Sequence, residues 1–342
     1  MDSIKYNIIS VDHHIDESVS FRETLEKESG MMWTSFSLVS NYKKKDKLTE
    51  LKRYLKYVQA GWNLFWNRQH YKNIIAWQQF HGVFYAFFCR LFHVKKVNSL
   101  ILMMLIYKPK KGLSGRIYKW FVKYSIHNEY VDQIVCFSEE EIKKYCNLFG
   151  LVPDKFTYMK VASAPVKDIE YHYEEPKYIF TAGFSHRDFK FVIDSLRGTS
   201  YRLVIADDRV EDPHLPNVRI ERECYGGDML RLMGRCYVFI NPLKDRTISV
   251  GQLMAISAMQ LHKPTICTAS EGMKPYLVDG VTGYFIDKSR EELLEKLDIL
   301  YSDSSLYSRM CEEAYKYGED QFSWGRLAKD VVRMGKEKKL FK

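Results

Sequence analysis

Between Glu50 and Glu129 the chain has no acidic residue, although 14 Lys or Arg fall within those 78 positions. Fourteen cations without one anion do not make an ordinary solvated face of mixed sign, so this window is expected to meet anions or a membrane surface. No nucleic-acid recognition motif accompanies it, and nucleic acid is not an expected partner. Cysteine pairs with C-x-x-C spacing are also missing. The seven cysteines are scattered, and Cys89, Cys136, Cys236 and Cys267 lie inside apolar runs. That excludes a zinc ribbon or disulfide scaffold and reads as buried thiols in a reducing compartment. No segment approaches the ~20 apolar residues of a membrane span. The opening residues, MDSIKYNIISVDHH, lack a basic region followed by an apolar stretch. The expectation is a protein made and kept in the cytosol.

What is present is the composition of a folded globular protein. Hydrophobic residues make up 46% of the 342 positions and charged residues 28%, which excludes disorder and fibrous repeats. This length favours two domains over one. The net charge of +9 is uneven: residues 1–165 hold 25 Lys+Arg against 15 Asp+Glu, and residues 166–342 hold 27 against 28. All the excess is N-terminal, where it is interleaved with Trp62, Trp66, Trp77, Phe80, Phe84, Phe87, Phe88, Trp120 and Phe121.

Hydrophobic patterning alternates strand with helix along the first half. A strand at 5–12 and a helix at 48–69 lead into strands in NIIAWQQF, SLILMMLIY and DQIVCFS, with helices between and after them. This rhythm implies β-α-β units and a parallel sheet. Ser138, followed by Glu139, Glu140 and Glu141, reads as a helix N-cap with acidic residues in the first turn. The stretch APVKDIEYHYEEPK (164–177) reads as a linker. After it the alternation restarts with KYIFTAG and continues to three C-terminal helices.

In an open α/β sheet, ligands bind beyond the C-terminal ends of the strands, where helix N-termini present free N–H groups to phosphate. Gly251 and Gly272 are expected in strand-to-helix turns of that kind, where a missing side chain lets a diphosphate approach the backbone. The segment SVGQLMAISAMQLHKPTICTASEGMKPYLVDGVTGYFID (249–287) resembles the donor-site segment of family 4 glycosyltransferases. The matching pieces are Gly251, Ala258-Met259, Lys263-Pro264-Thr265-Ile266, Glu271-Gly272 and Asp279-Gly280-Val281-Thr282-Gly283. YIFTAGFSHRDFKFVIDSL (178–196), which contains Gly183, resembles the family's first strand and helix of this domain. It sets Arg187 where the family carries a diphosphate-binding lysine. MLRLMGRCYVFINPLKD resembles a further element that ends at Asn241-Pro242. The loop at Cys224-Tyr225-Gly226-Gly227 sits where the family seats its base. FSWGRLAKDVVRM resembles the closing helix that crosses back to the N-terminal domain.

This sequence departs from the family at the E-x7-E signature, whose two positions here are Ser249 and Ser257. A serine hydrogen-bonds a hydroxyl more weakly than a charged acceptor does. In the N-terminal half the resemblance is one of plan alone. Val11-Asp12-His13-His14 replaces a Gly-rich loop, and Tyr107-Lys108-Pro109-Lys110-Lys111 stands where a histidine is often found. His81, in QQFHGV, is the alternative histidine expected to face the cleft. Asp12, His13 and His14 read as a loop lining in preference to a metal cluster.

The resemblance implies an α/β fold of the GT-B type, two Rossmann-like doubly wound domains facing a central cleft. The expected division is an acceptor domain at 1–168, a nucleotide-sugar domain at 169–322 and a closing helix at 323–342. It implies a retaining, metal-independent transfer from a UDP- or GDP-sugar to a lipid-linked saccharide at the inner face of the membrane, in cell-surface polysaccharide assembly. Arg187 and His81 are the candidate catalytic residues. Gly183, Tyr225, Asn241, Ser249, Gly251, Gln252, Ser257, Glu271 and Gly272 are the candidate donor contacts. No carboxylate cluster of the D-x-D kind suits a metal, and no cofactor beyond the donor is expected. The rival reading is a degenerate glycosyltransferase that binds or activates another. A sugar-nucleotide epimerase would need a set of acid/base carboxylates that the sequence does not show.

Overall fold

The computed structural model describes residues 5–13, 19–39, 47–244 and 250–341. The chain divides into two compact units, one of residues 1–159 with 327–342 and one of residues 160–326.

The first unit holds a six-stranded sheet in the order β2-β1-β3-β4-β5-β6, with every paired neighbour parallel. Its strands are β1 (Tyr6–Val11), β2 (Trp33–Ser37), β3 (Tyr71–Ala76), β4 (Ser99–Leu102), β5 (Gln133–Cys136) and β6 (Phe156–Tyr158). The intervening helices are α1 (Val19–Ser29), α2 (Lys47–Trp66), α3 (Gln79–Leu91), α4 (Gly112–Ile126) and α5 (Glu139–Phe149). β3, β4 and β5 are buried almost end to end, as strands must be when helices cover both faces of a sheet.

Three elements escape a reading of the pattern, and each has a physical reason. β2 is an edge strand in which only Trp33 is buried. α1 buries only Phe21 and Leu25. β6 is three residues long. The strand expected across 99–107 pairs only over Ser99–Leu102. Beyond it the alternation persists, with Met103, Leu105 and Tyr107 buried and Ile106 exposed. There the backbone bonds to side chains, Ile106 N–H to Gln79 Oε1 at 2.5 Å and Tyr107 N–H to the Tyr145 hydroxyl at 3.2 Å. Ser138 stands at the N-cap of α5, but its side chain makes no capping bond. Glu139, Glu140 and Glu141 occupy the first turn, where they favour the helix dipole.

The second unit repeats the plan with the order β12-β11-β10-β7-β8-β9, again parallel throughout. Its strands are β7 (Tyr178–Ala182), β8 (Arg202–Ala206), β9 (Val218–Glu221), β10 (Val238–Asn241), β11 (Thr265–Thr268) and β12 (Gly283–Ile286). Its helices are α6 (Phe189–Leu196), α7 (Gly227–Arg235), α8 (Gln252–Gln260), α9 (Arg290–Ser302) and α10 (Ser304–Phe322). The last helix, α11 (Trp324–Glu337), belongs to the first unit from Leu327 onward. There Lys336 donates to the Glu28 carbonyl at 3.2 Å, and the Phe341 ring meets Trp33 edge-on at 5.5 Å.

The division at Met159/Lys160 precedes the boundary expected at 168/169, because the stretch read as a linker is laid against the second unit. Val161 N–H donates to the Tyr276 hydroxyl at 2.8 Å, Glu174 N–H to the Arg235 carbonyl at 3.0 Å, and the buried Lys263 ammonium to the Tyr171 carbonyl at 2.5 Å.

The Asp279–Gly283 turn, the most specific sequence match, works as structure. Asp279 Oδ1 accepts from Phe285 N–H at 2.7 Å, and the Thr282 hydroxyl from Val278 N–H at 2.9 Å. A Cβ on Gly283 would stand 2.0 Å from the Thr265 carbonyl oxygen of the neighbouring β11. Gly283→Ala should therefore cost roughly 1–3 kcal/mol through overpacking. A thermal melt should show a fall of several degrees, and an unchanged melting temperature would show that β11 and β12 do not press together as described.

Candidate functional site

In the second sheet β7 and β10 are neighbours, yet the chain leaves β7 toward β8 and leaves β10 toward β11. The connections diverge, and a crevice opens beyond the strand ends at such a point. The loops that follow these two strands are latched together. Asp188 N–H donates to the Pro242 carbonyl at 3.0 Å, Lys244 N–H to the His186 carbonyl at 2.9 Å, and Arg187 forms a backbone bridge with Leu243.

Arg187 sits inside this latch, 8% exposed. Its Nε donates to the Ala182 carbonyl at 3.2 Å and its Nη1 to the Ser185 carbonyl at 2.8 Å. No carboxylate among the described residues pairs with it. Burial lowers its pKa from the ordinary arginine value, yet a guanidinium stays charged in proteins. A buried cation held only by neutral carbonyls is electrostatically incomplete. An anion entering the crevice would complete it. Gly183 makes the seat possible. Its φ of 126° lies in the left-handed region, and a Cβ there would come 2.7 Å from Arg187 Nε.

Tyr225, expected at the base site, lies half-exposed in the β9–α7 loop, its ring 5.7 Å from that of Phe184 and tilted by only 24°. Sequence reading missed Phe184, and with it Asp207 and Arg209. The Arg209 guanidinium lies 5.7 Å over the Phe184 ring, and its Nε donates to Asp207 Oδ1 at 2.8 Å. Burial alone would raise the Asp207 pKa; the side-chain and backbone hydrogen bonds from Arg209 hold it below the usual carboxylate value. Phe184, Asp207 and Arg209, with Arg187, His186 and Lys244, line a cavity of about 660 Å³, within the range of small-molecule sites. A phenylalanine following a strand carries no signal in one sequence that it will face solvent.

Across the crevice, Gly251 caps the N-terminus of α8 in a left-handed conformation (φ 97°). The buried Asn241 amide, at the end of β10, donates to the Gly251 carbonyl at 3.2 Å. Gln252 donates to the Gly272 carbonyl at 3.4 Å, so the turn after β11 is tied to the start of α8. Gly272 itself does not begin an α-helix, contrary to expectation. The next residues form a single 3-10 turn, Lys274–Tyr276, and Met273 N–H and Lys274 N–H already bond to the Ser270 carbonyl. Glu271 is exposed and paired with Lys274 at 2.6 Å. Ser257 lies half-buried within α8, about 7 Å along the axis from Gln252 at ~1.5 Å per residue. Ser249 lies outside the described residues.

In the first unit, His81 occupies the first turn of α3 and is fully buried. Its Nδ1 shares a hydrogen bond of 2.8 Å with the Ser10 hydroxyl of β1, and its Nε2 has no partner among the described residues. Burial pushes its pKa down to about 4, against the opposing pull of Asp12. Asp12 follows β1 and accepts from Gln78 Nε2 at 2.8 Å. Burial would raise its pKa, but hydrogen bonds from His13 and Gln78 and the nearby imidazoles bring it below the usual value. This strand end therefore carries an ionised carboxylate backed by a neutral imidazole. His14 lies outside the described residues.

Residues 215–317, from just before β9 into α10, match the family model described as glycosyl transferases group 1. Among solved structures, the chain is similar to HepE of Anabaena in complex with UDP (14% identity, TM-score 0.61, 97% of this chain and 100% of that one). It is similar as well to a sucrose-phosphate synthase from Thermosynechococcus elongatus (12%, TM-score 0.63, 97% and 99%). A glycosyltransferase from Rickettsia africae ESF-5 aligns at 11% identity, TM-score 0.57, over 98% of both chains. No curated protein sequence matches the chain significantly. At these identities the structural likeness establishes the fold, which is GT-B: two Rossmann-like α/β domains. With the group 1 match in the second unit, it supports a glycosyltransferase of that architecture.

Two measurements check these assignments. Gly183→Ala should displace the Arg187 side chain and weaken UDP binding in calorimetry at least tenfold; wild-type affinity would mean that the seat is unimportant. For His81, the folded value of about 4 lies below the ordinary ~6.5. The unfolded chain therefore binds the extra proton first, and stability is lost as pH falls from about 6.5 toward 4, by up to roughly 3 kcal/mol. Melting temperatures across that range should fall more steeply in the wild type than in His81→Asn, and parallel slopes would refute a neutral buried imidazole.

Proposed function

We propose that the chain is a retaining, metal-independent glycosyltransferase that moves a sugar from a UDP- or GDP-sugar to a lipid-linked saccharide. The setting is cell-surface polysaccharide assembly at the inner face of the membrane. The observation that carries this reading is the buried Arg187, with no carboxylate partner among the described residues, latched at the switch point between β7 and β10. HepE, the similar Anabaena protein, has been solved with UDP and with UDP-glucose.

In the proposed reaction the bond from the sugar's anomeric carbon to the diphosphate oxygen breaks, and its electron pair stays on that oxygen. Arg187 stabilises the developing charge, aided by Lys244 and the α8 N-terminus. These are fixed charges and dipoles aimed where negative charge grows. The acceptor hydroxyl bonds to the anomeric carbon on the face the leaving group vacates, and its proton passes to the departing diphosphate. Configuration is thereby retained. The Phe184–Tyr225 pair offers a surface on which a base can stack. Asp12, ionised at the end of β1, is suited to bind acceptor hydroxyls.

Arg187→Ala should lower transfer and UDP affinity by at least tenfold, while circular dichroism and the melting curve show the fold intact. Near-normal transfer would remove the diphosphate assignment. A second reading, a non-catalytic partner of another glycosyltransferase, is favoured by Ser249 and Ser257 standing at the two signature carboxylate positions. It predicts no release of UDP or GDP with any acceptor, even where a nucleotide binds.

A further inference from the structure

Helices α2 and α4 each present apolar residues on two sides. On α2 the inward residues are Tyr57, Ala60, Leu64 and Phe65, yet Leu51, Leu55, Val58, Trp62 and Trp66 are exposed. The exposed residues recur at intervals of three and four, which sets them along one helical face. On α4, Leu113, Ile117 and Trp120 form a second exposed stripe with the same spacing. Trp66 is 70% exposed and Leu113 73%, so most of each of these two residues is in water.

The two stripes belong to one surface, because an unbroken run of ring contacts joins them across α3. Trp66 stacks on Trp62 at 6.1 Å, and Trp62 meets Phe88 of α3 at 5.0 Å. Phe88 meets Phe87 at 5.6 Å, Phe87 meets Tyr124 of α4 at 5.7 Å, and Tyr124 stacks on Trp120 at 5.2 Å. This surface lies wholly inside the acid-free window. Lys52, Arg116, Lys119 and Lys123 are exposed on the same helices, and the Arg90 guanidinium lies 4.1 Å over the Tyr124 ring.

We propose that the outer face of α2, α3 and α4 is a membrane-docking surface that lies in the headgroup layer of an anionic bilayer. A contiguous exposed apolar patch marks an interaction site. Its composition selects the partner. Tryptophan and tyrosine favour the boundary between headgroups and acyl chains. Lysine and arginine extend their charged ends to phosphate while their stems cover apolar surface. The complete lack of acids removes repulsion from anionic lipid. No helix among the described residues is long and apolar enough to cross a membrane, so the helices lie on the bilayer. The proposal gives the lipid-linked acceptor of the proposed function a surface on which to be met, but it does not depend on the transfer reaction.

Flotation of the full chain tests it, with vesicles of phosphatidylcholine alone or with about 30 mol% phosphatidylglycerol. The protein should float with the anionic vesicles, its tryptophan emission should shift to the blue, and binding should weaken in high salt. The triple substitution Trp66→Ser, Ile117→Ser and Trp120→Ser should reduce partitioning at least tenfold with an unchanged melting temperature. Arg116→Glu with Lys119→Glu should remove the preference for anionic lipid. Arg187→Ala should float like the wild type, which separates failure of this proposal from failure of the transfer reading. Absence of flotation, or flotation unaffected by the triple substitution, overturns the proposal. So does a concentration-dependent dimer abolished by those substitutions without vesicle binding, which would assign the face to a second copy of the chain.

Discussion

A buried guanidinium with no carboxylate partner among the described residues sets the terms for the second unit. Arg187 can be held where it is only because the loops after β7 and β10 are bonded backbone to backbone and because Gly183 leaves room beside β7. The carbonyls of Ala182 and Ser185 orient the group without neutralising its charge. Desolvating a cation in this way costs free energy that the surrounding fold must supply. The latch is the part of the fold that supplies it. The same bonds bring His186 and Lys244 together beside the buried charge, in a cavity whose lining also carries Asp194, Asp207, Glu211 and Asp212.

Most of the architecture could be read from periodicity. In the second unit the expected alternation is present apart from a helix after Gly272, and the buried strands β7, β10 and β11 leave continuous apolar runs. What escaped notice lies at sheet edges. β2 and α1 bury one and two residues, too few to mark a pattern. The site was less legible. Arg187, Gly183 and Gly251 could be located by register against a family pattern, and they lie beside the crevice. Phe184 and Arg209 could not, since their relation depends on β7 and β8 being neighbours. The linker misled for the opposite reason. Its polar, proline-containing composition reads as free chain, whereas its backbone bonds to α7 and to Lys263.

The glycine-rich signature near the C-terminus separates into two functions on inspection. Asp279 to Gly283 closes a turn and lets β12 lie against β11, and its polar side chains satisfy backbone groups. Gly251, by contrast, opens the N-terminus of α8 next to Asn241. A sequence can thus keep the first kind of residue for its fold alone. Persistence of Asp279 and Gly283 is evidence of architecture and carries little weight about chemistry.

The serine at position 257 bears on the chemistry through charge. A carboxylate on α8 would sit in the same domain as Arg187 and offset part of the positive potential at the crevice, since charges in a partly desolvated site interact over longer distances than in water. With Ser257 that offset is absent, while the α8 N-terminus and Lys244 remain. On the proposed function, the balance tilts toward holding a diphosphate and away from recognising the hydroxyls of ribose or sugar, which a serine binds more weakly than a carboxylate does. Selectivity among donors must in that case come from elsewhere. Within that proposal, Phe184, Tyr225 and the Asp207–Arg209 pair are polar and aromatic groups that would provide it.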